Sequence, residues 1–559
     1  MHILNHRARS IMFAFNIGVL ILTFYPKTLK SQDRSFGTLP MLNTDTLIVR
    51  SPGDLNNTAE YDTILKIYNK LVNARGDFRY PVPNLFLKDV EGRVASIDYN
   101  TNEITLEKKA YDVCKKYGEP AIAFLLGHEL THYYEKHAWR GGFARDNADL
   151  KLGKDLKTLM DQVANETEAD YLGGFLAYTA GFGMFDKGDE IISDLYDAYN
   201  MGELVNGYPS KSDRIELGKR SAKKLESLVD AFDMANLLAA TGKDKEAYGY
   251  YQYILNYFQS RELYNNLGTI AVKNAMTLFD KDSLRFRYVS ELDVKFEGSK
   301  EVLVSVSKAI NQALDQAILH FNSAISLDPN YAPAYLNKAN AYALKKDFTK
   351  ANYYLNEEAL PIAKKDSVKN AKTLLDITVL QGIILALNGD EKKAKKKFTE
   401  AKSKGSKLAA INLSILNMEK TKVATIATGD VFADTIGSTS LKGFLKKPLF
   451  ANKKVMKIKE DQTFFQYSPS DNKSRVFFNQ DDTKKTRTAY LMTQAGYSGT
   501  TLNGIKLGDT DDEVENKYGK PMYEIETTQG QLQVYDSIIF FIENNRVMRW
   551  ANYTTKKFI

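Results

Sequence analysis

A single cysteine, Cys114, among 559 residues rules out any disulfide within the chain, so stability must come from the core. Nor does any cysteine near the start offer a site for a lipid. Histidine is also scarce: there are six, and His2 and His6 lie at the extreme N-terminus. Beyond residue 25 no apolar run approaches the ~20 residues that span a bilayer. A large charge excess is missing as well. The formal charge is +7, and removal of a leader carrying Arg7, Arg9, Lys27 and Lys30 leaves +3, which excludes a nucleic-acid footprint.

What is present is the composition of a globular protein, 43% hydrophobic and 26% charged, long enough for two to four domains. Arg7 and Arg9 precede an apolar run from Ile11 to Tyr25, and polar "PKTLKSQD" with Ser31 follows. This is the layout of a secretory signal over residues 1–31; an uncleaved anchor has the same physics. The expected location is therefore secreted or periplasmic, with no integral span in the mature chain.

The remainder divides into an expected α+β, mainly helical, arrangement. From 32 to 230 "PNLFLKDV", "RVASIDYN" and "NEITLEK" read as short strands, and helical patterns follow at 119–137 and about 158–180. From 231 to 420 the pattern is helical and repetitive. Ala247 with Tyr251, Ala317 with Phe321, Ala351 with Leu355 and Ala394 with Phe398 recur at i, i+4, and Ala317 and Ala351 are 34 apart. With Ala324, Pro329, Tyr335, Ala339 and Tyr342 in place, and Gly268 and Gly382 at the small positions of neighbouring helices, this stretch resembles tetratricopeptide repeats. The segment 280–310 breaks the period. Residues 421–499 read as a linker or irregular β region. Within them "LKGFLKKPLFANKKVMKIKED" holds seven lysines, either a solvated face or a contact for an anionic surface. In 500–559, Thr510 and Glu513 have capping-box spacing, and strands follow with a turn at Asn544-Asn545. Helix-then-strands over about 500–552 is similar to the small α+β modules of outer-membrane assembly lipoproteins and β-lactamase inhibitor proteins.

The chemistry concentrates in "AIAFLLGHELTHYYEKHAWRGG". His128 and His132 lie four apart and so share a helix face, where both imidazoles can meet one zinc ion; Glu129 sits beside it as a candidate base. Zinc needs a third protein ligand. Ala138 stands where a metzincin would place its third histidine. His137 is one residue off and reads as an exposed or second-layer residue, while His320 belongs to a repeat helix. A carboxylate remains, and the next long helix offers "NETEAD".

Together the HExxH and ExxAD patterns resemble the gluzincin family of CAAX prenyl proteases, HtpX-like peptidases and periplasmic BepA-like peptidases, over about residues 85–220. The resemblance implies a zincin-type metallopeptidase domain. It makes Glu166 the third zinc ligand and Asp170 the carboxylate that orients a zinc-binding histidine. Glu166 and Asp170 share a helix face and Glu168 points elsewhere. Pro209 and Arg214 keep a further family spacing, but Tyr208 replaces the histidine expected there, and its phenol is a weaker candidate for oxyanion contact.

The expectation is thus a zinc-dependent endopeptidase, one zinc per chain. Protein or peptide substrates are its partners, and the repeats receive clients or envelope proteins. A strand around "NEITLEK" would pair with extended substrate. The alternative is a non-catalytic repeat scaffold or holding chaperone with a structural or idle metal site.

Overall fold

The computed structural model describes residues 53–151, 162–185, 187–201, 210–279, 284–289, 305–418, 435–441, 453–469, 473–494, 496–527 and 530–557. The expected signal (1–31) and Tyr208 lie outside them. Among the described residues no helix is long and apolar enough to cross a membrane.

The first unit is built around one buried helix. Helix α1 (Ala59–Arg75), capped by Thr58 and closed by Gly76 at φ +57, packs with α2 (Lys108–Lys115) on α3 (Glu119–Tyr134). Helix α3 is apolar nearly all round and is buried from Ala121 to Tyr134 apart from Leu125 and His132, as such a helix must be. Three short strands lie beside it: β1 (Asn84–Lys88), β2 (Ala95–Asp98) and β3 (Glu103–Glu107), in the order β1-β3-β2. β3 pairs in parallel with β1 and antiparallel with β2. The three strands match the three quoted stretches. The role expected of "NEITLEK" does not survive, because β3 is the central strand and both its edges are taken. β2 is the edge that lies on α3.

The helix expected over 119–137 ends at Tyr134. Lys136 adopts φ +59, and α4 (His137–Asp146) starts a new direction. Helix α5 (Gln162–Ala177) crosses α3, and α6 (Gly188–Ala198) and the 30-residue α7 (Lys211–Ala240) complete the unit. A methyl group on Gly127 would come within 2.5 Å of the Gly173 carbonyl oxygen, so α3 and α5 meet backbone to backbone.

Helix α7 runs straight through residue 230, where a domain boundary was expected. Its C-terminal half begins the repeats, which continue through α8 (Asp244–Leu255), α9 (Arg261–Met276), α10 (Ser305–Leu327) and α11 (Ala332–Leu344). Phe348–Asn352, Tyr353–Ala359 in π-type turns and Leu360–Lys365 then run end to end. Helices α12 (Ala371–Leu387), α13 (Glu391–Ser403) and α14 (Lys407–Leu416) follow. All four Ala-x3-large pairs are buried, and Phe321 and Phe398 fill the space left by Gly268 and Gly382. Small residues there let paired helices approach, the packing expected of a repeat array.

The two C-terminal stretches, expected as separate regions, form one antiparallel sheet. After a short separate hairpin, β4 (Thr435–Ile436) with β5 (Thr439–Ser440), strands β6 (Lys453–Lys459), β7 (Gln462–Tyr467), β8 (Ser474–Asp481) and β9 (Thr486–Thr493) make one meander; β10 (Tyr523–Thr527), β11 (Gly530–Val534), β12 (Ile538–Glu543) and β13 (Arg546–Lys557) make another. The last strand, β13, pairs with both β12 and β9 and joins them. Phe464, Phe477, Tyr490 and Ile539 face a core shared with α7, α8 and the first unit, where Tyr250 donates to Asn479 at 3.1 Å. The opposite face, with Phe540 and Trp550, carries Val514 and Tyr518 of α15 (Asp511–Tyr518), whose Thr510–Glu513 capping box is present. Of the lysines in the basic stretch, Lys454 is drawn into this junction by Asp230 at 2.7 Å.

Candidate metal centre

The α3–α5 crossing places three side chains from two helices around one point. His128 Nε2 lies 3.4 Å from Glu166 Oε2, His132 Nε2 lies 3.5 Å from Glu166 Oε1, and the two Nε2 atoms are 3.0 Å apart. Among the described residues this is the one set of His, Cys, Asp or Glu side chains close enough to share a metal ion. A tetrahedral ion with Zn–N bonds of 2.0–2.1 Å separates its ligand atoms by about 3.3 Å, so the spacing fits zinc with a slight opening of the imidazole pair.

Hydrogen bonding fixes which nitrogen faces inward. His128 Nδ1 lies 2.9 Å from Asp170 Oδ1, and Asp170 is clamped by Arg214, with contacts of 2.5 and 2.8 Å. Asp170 accepts the Nδ1–H and leaves the Nε2 lone pair for a ligand. Arg214, recognised in the sequence only through its spacing from Pro209, thus holds the carboxylate that holds the histidine. On the other side His132 Nδ1 is 2.7 Å from His137 Nδ1, and His137 Nε2 is 3.2 Å from Glu168 Oε2. His137 is 4% exposed, so of its two expected settings the second-layer one is found. Glu168 does point away from the Glu166 face, onto His137 and Arg140.

Electrostatics follow from this layout. Burial opposes charge on His128, but Asp170 and Glu166 outweigh it and carry the imidazole up to about 10. Burial and the His128 charge push His132 down to about 3. With their Nε2 atoms 3.0 Å apart, the two imidazoles cannot both carry a hydrogen there, and a metal ion competes with a proton for the same lone pairs. Burial opposes ionisation of Glu166, yet His128, His132 and Arg214 hold it at about 2. Asp170 is held well below the usual carboxylate range by Arg214 and His128 despite complete burial. Glu129 behaves differently: burial, with Glu166 nearby, lifts it to about 7 against the pull of His128. The nearby Ile97 backbone N–H of β2 also favours its charged form.

Sequence reasoning missed Gly127 and Gly173, whose contact sets the crossing, and the partners of His137. The signals were there: a glycine directly before His128, a glycine pair three residues after Asp170, and a third histidine in a histidine-poor chain.

No protein-family model matches the chain. It is similar to tetratricopeptide repeat protein 36 of Xenopus tropicalis, 36% identical over 112 residues, which is 20% of this chain and 53% of that protein. The protein of the same name from Danio rerio is 34% identical over 115 residues, 21% of this chain and 59% of its own length. The chain spans little more than half the length of these relatives. The similarity fits the repeat element seen in the fold.

Proposed function

We propose that the protein is a zinc-dependent metalloendopeptidase of the gluzincin kind, acting on protein substrates outside the cytoplasm, with its repeats holding the client. The observation that carries this reading is the convergence of His128, His132 and Glu166 with an intact glutamate, Glu129, beside them. A purely structural site has no need of a base there.

Zinc, when bound, supplies Lewis acidity that polarises a carbonyl and acidifies a water. The chain does the rest. His128, His132 and Glu166 bind the ion; Asp170 and Arg214 orient His128. Glu129 takes a proton from the attacking water on its carboxylate and passes it to the leaving amide nitrogen. β2 is an edge of its sheet and packs on α3, the helix that carries Glu129. That edge, and not β3, is where an extended peptide would add a strand. The tetratricopeptide similarity, over about 20% of the chain, supports protein binding by the repeats.

Metal analysis beside a cleavage assay on an unfolded protein tests the reading. One zinc per chain is expected, and Glu129→Gln should keep it while losing 10²-fold or more in cleavage. A zinc-free chain, or full activity in Glu129→Gln, would overturn the proposal and leave the scaffold reading, which the repeat similarity supports by itself.

A further inference from the structure

We infer that His137 is a positioning residue for the metal centre, acting through His132 and held in turn by Glu168 and Arg140. The inference rests on the zinc reading and assigns these three side chains a role toward the same ion.

Glu168 Oε2 takes a hydrogen bond from Arg140 Nη2 at 2.9 Å, and as a carboxylate it can only accept. His137 Nε2, 3.2 Å from that oxygen, must therefore carry a hydrogen. Two arrangements of the remaining contact, Nδ1 to Nδ1 at 2.7 Å, are then open. If His137 is neutral, its Nδ1 accepts the Nδ1–H of His132, and the His132 Nε2 lone pair faces His128 and Glu166. If His137 is doubly protonated, it donates, and the single hydrogen of neutral His132 moves to Nε2, where it points at the metal position. Only the first arrangement leaves a ligand. A bound ion therefore selects it, and the chain His132–His137–Glu168–Arg140 becomes a counterpart of His128–Asp170–Arg214.

The backbone is arranged to permit this. His137 reaches back over His132, with ring planes at 85° and centroids 4.7 Å apart, because the chain turns at Lys136. Lys136 takes φ +59, a conformation that side chains other than glycine rarely adopt. Its ammonium sits 3.7 Å over the Tyr80 ring and 4.4 Å over Tyr133, which holds the turn in place.

Chelator competition for zinc, the absorption spectrum of the cobalt-substituted protein and imidazole nitrogen NMR of the zinc-loaded wild type test the inference. His137→Leu should weaken zinc 10–100-fold and alter the cobalt spectrum. His137→Gln, whose amide oxygen can still accept from His132, should recover most of both. NMR should show His132 protonated at Nδ1 and His137 at Nε2, a readout that stands even if His137→Leu does not fold. Unchanged affinity and cobalt spectrum in His137→Leu, or a hydrogen on His137 Nδ1 in the zinc-loaded wild type, would overturn the inference while leaving the zinc reading intact. A wild type that binds no zinc would overturn both.

Discussion

Where α3 crosses α5 at the candidate metal centre, glycine sets backbone against backbone; in the repeats, it leaves a socket for a ring. A methyl group on Gly173 would come within 2.5 Å of the His128 nitrogen and 2.7 Å of the Gly127 carbonyl carbon. Neither atom belongs to a group that can turn away. On Gly268 or Gly382 the methyl would meet edge atoms of Phe321 or Phe398, at 2.4 and 2.6 Å. A ring can tilt. The first seam determines where two backbones lie, and hence where His128 and Glu166 point. The second only keeps two helices close, and adjoining repeats share whatever adjustment it needs.

Gly173→Ala should have the largest effect. The helices must part, and the destabilisation should sit at the top of the ~1–3 kcal/mol range for overpacking, with zinc binding lost. Thermal melting with metal analysis checks it; retained zinc would mean the crossing does not set the ligand geometry. Asp170→Asn should come next. It frees Arg214 and leaves His128 without its carboxylate, so zinc affinity should fall 10–100-fold with the helix crossing unchanged. Ala339→Leu, at a fully buried repeat position, should loosen the array by about 1–3 kcal/mol. Processing of a folded client should then suffer more than cleavage of a short unstructured peptide, and equal loss on both would make the repeats part of the catalytic fold. Gly268→Ala should have the smallest effect, about 1 kcal/mol at the low end of the same range. Hydrogen exchange should rise in α9 and α10 only, with zinc affinity at its wild-type value; a change at the metal centre would show that the two seams are coupled.

Much of the site was legible because its spacing is local. His128 with His132, and Glu166 with Asp170, lie four apart on single helices, and that periodicity places each pair on one face before any packing is known. The repeats were legible for a similar reason: a 34-residue period and small residues opposite large ones describe a unit that contacts its neighbours in sequence. His137 was ambiguous because its setting depends on one residue, Lys136, adopting a left-handed conformation that no pattern of hydrophobicity announces. The stretch "NEITLEK" was misjudged as a sheet edge because β1, β2 and β3 are alike in texture, and only their pairing shows that β3 is central.

Short-range pattern was enough for the faces of the long helices, the capping box at Thr510, the Asn544-Asn545 turn and the pairing of His128 with His132 on one face. All of these are set by neighbours within a few residues. Tertiary structure alone decided that α7 belongs to two units at once and that β13 knits 453–493 to 523–557. It also brought Arg214 to close on Asp170 across 44 positions. These are contacts between distant segments, chosen by which apolar faces must be covered and which buried charges must be paired, and neither choice is made until the whole chain is packed.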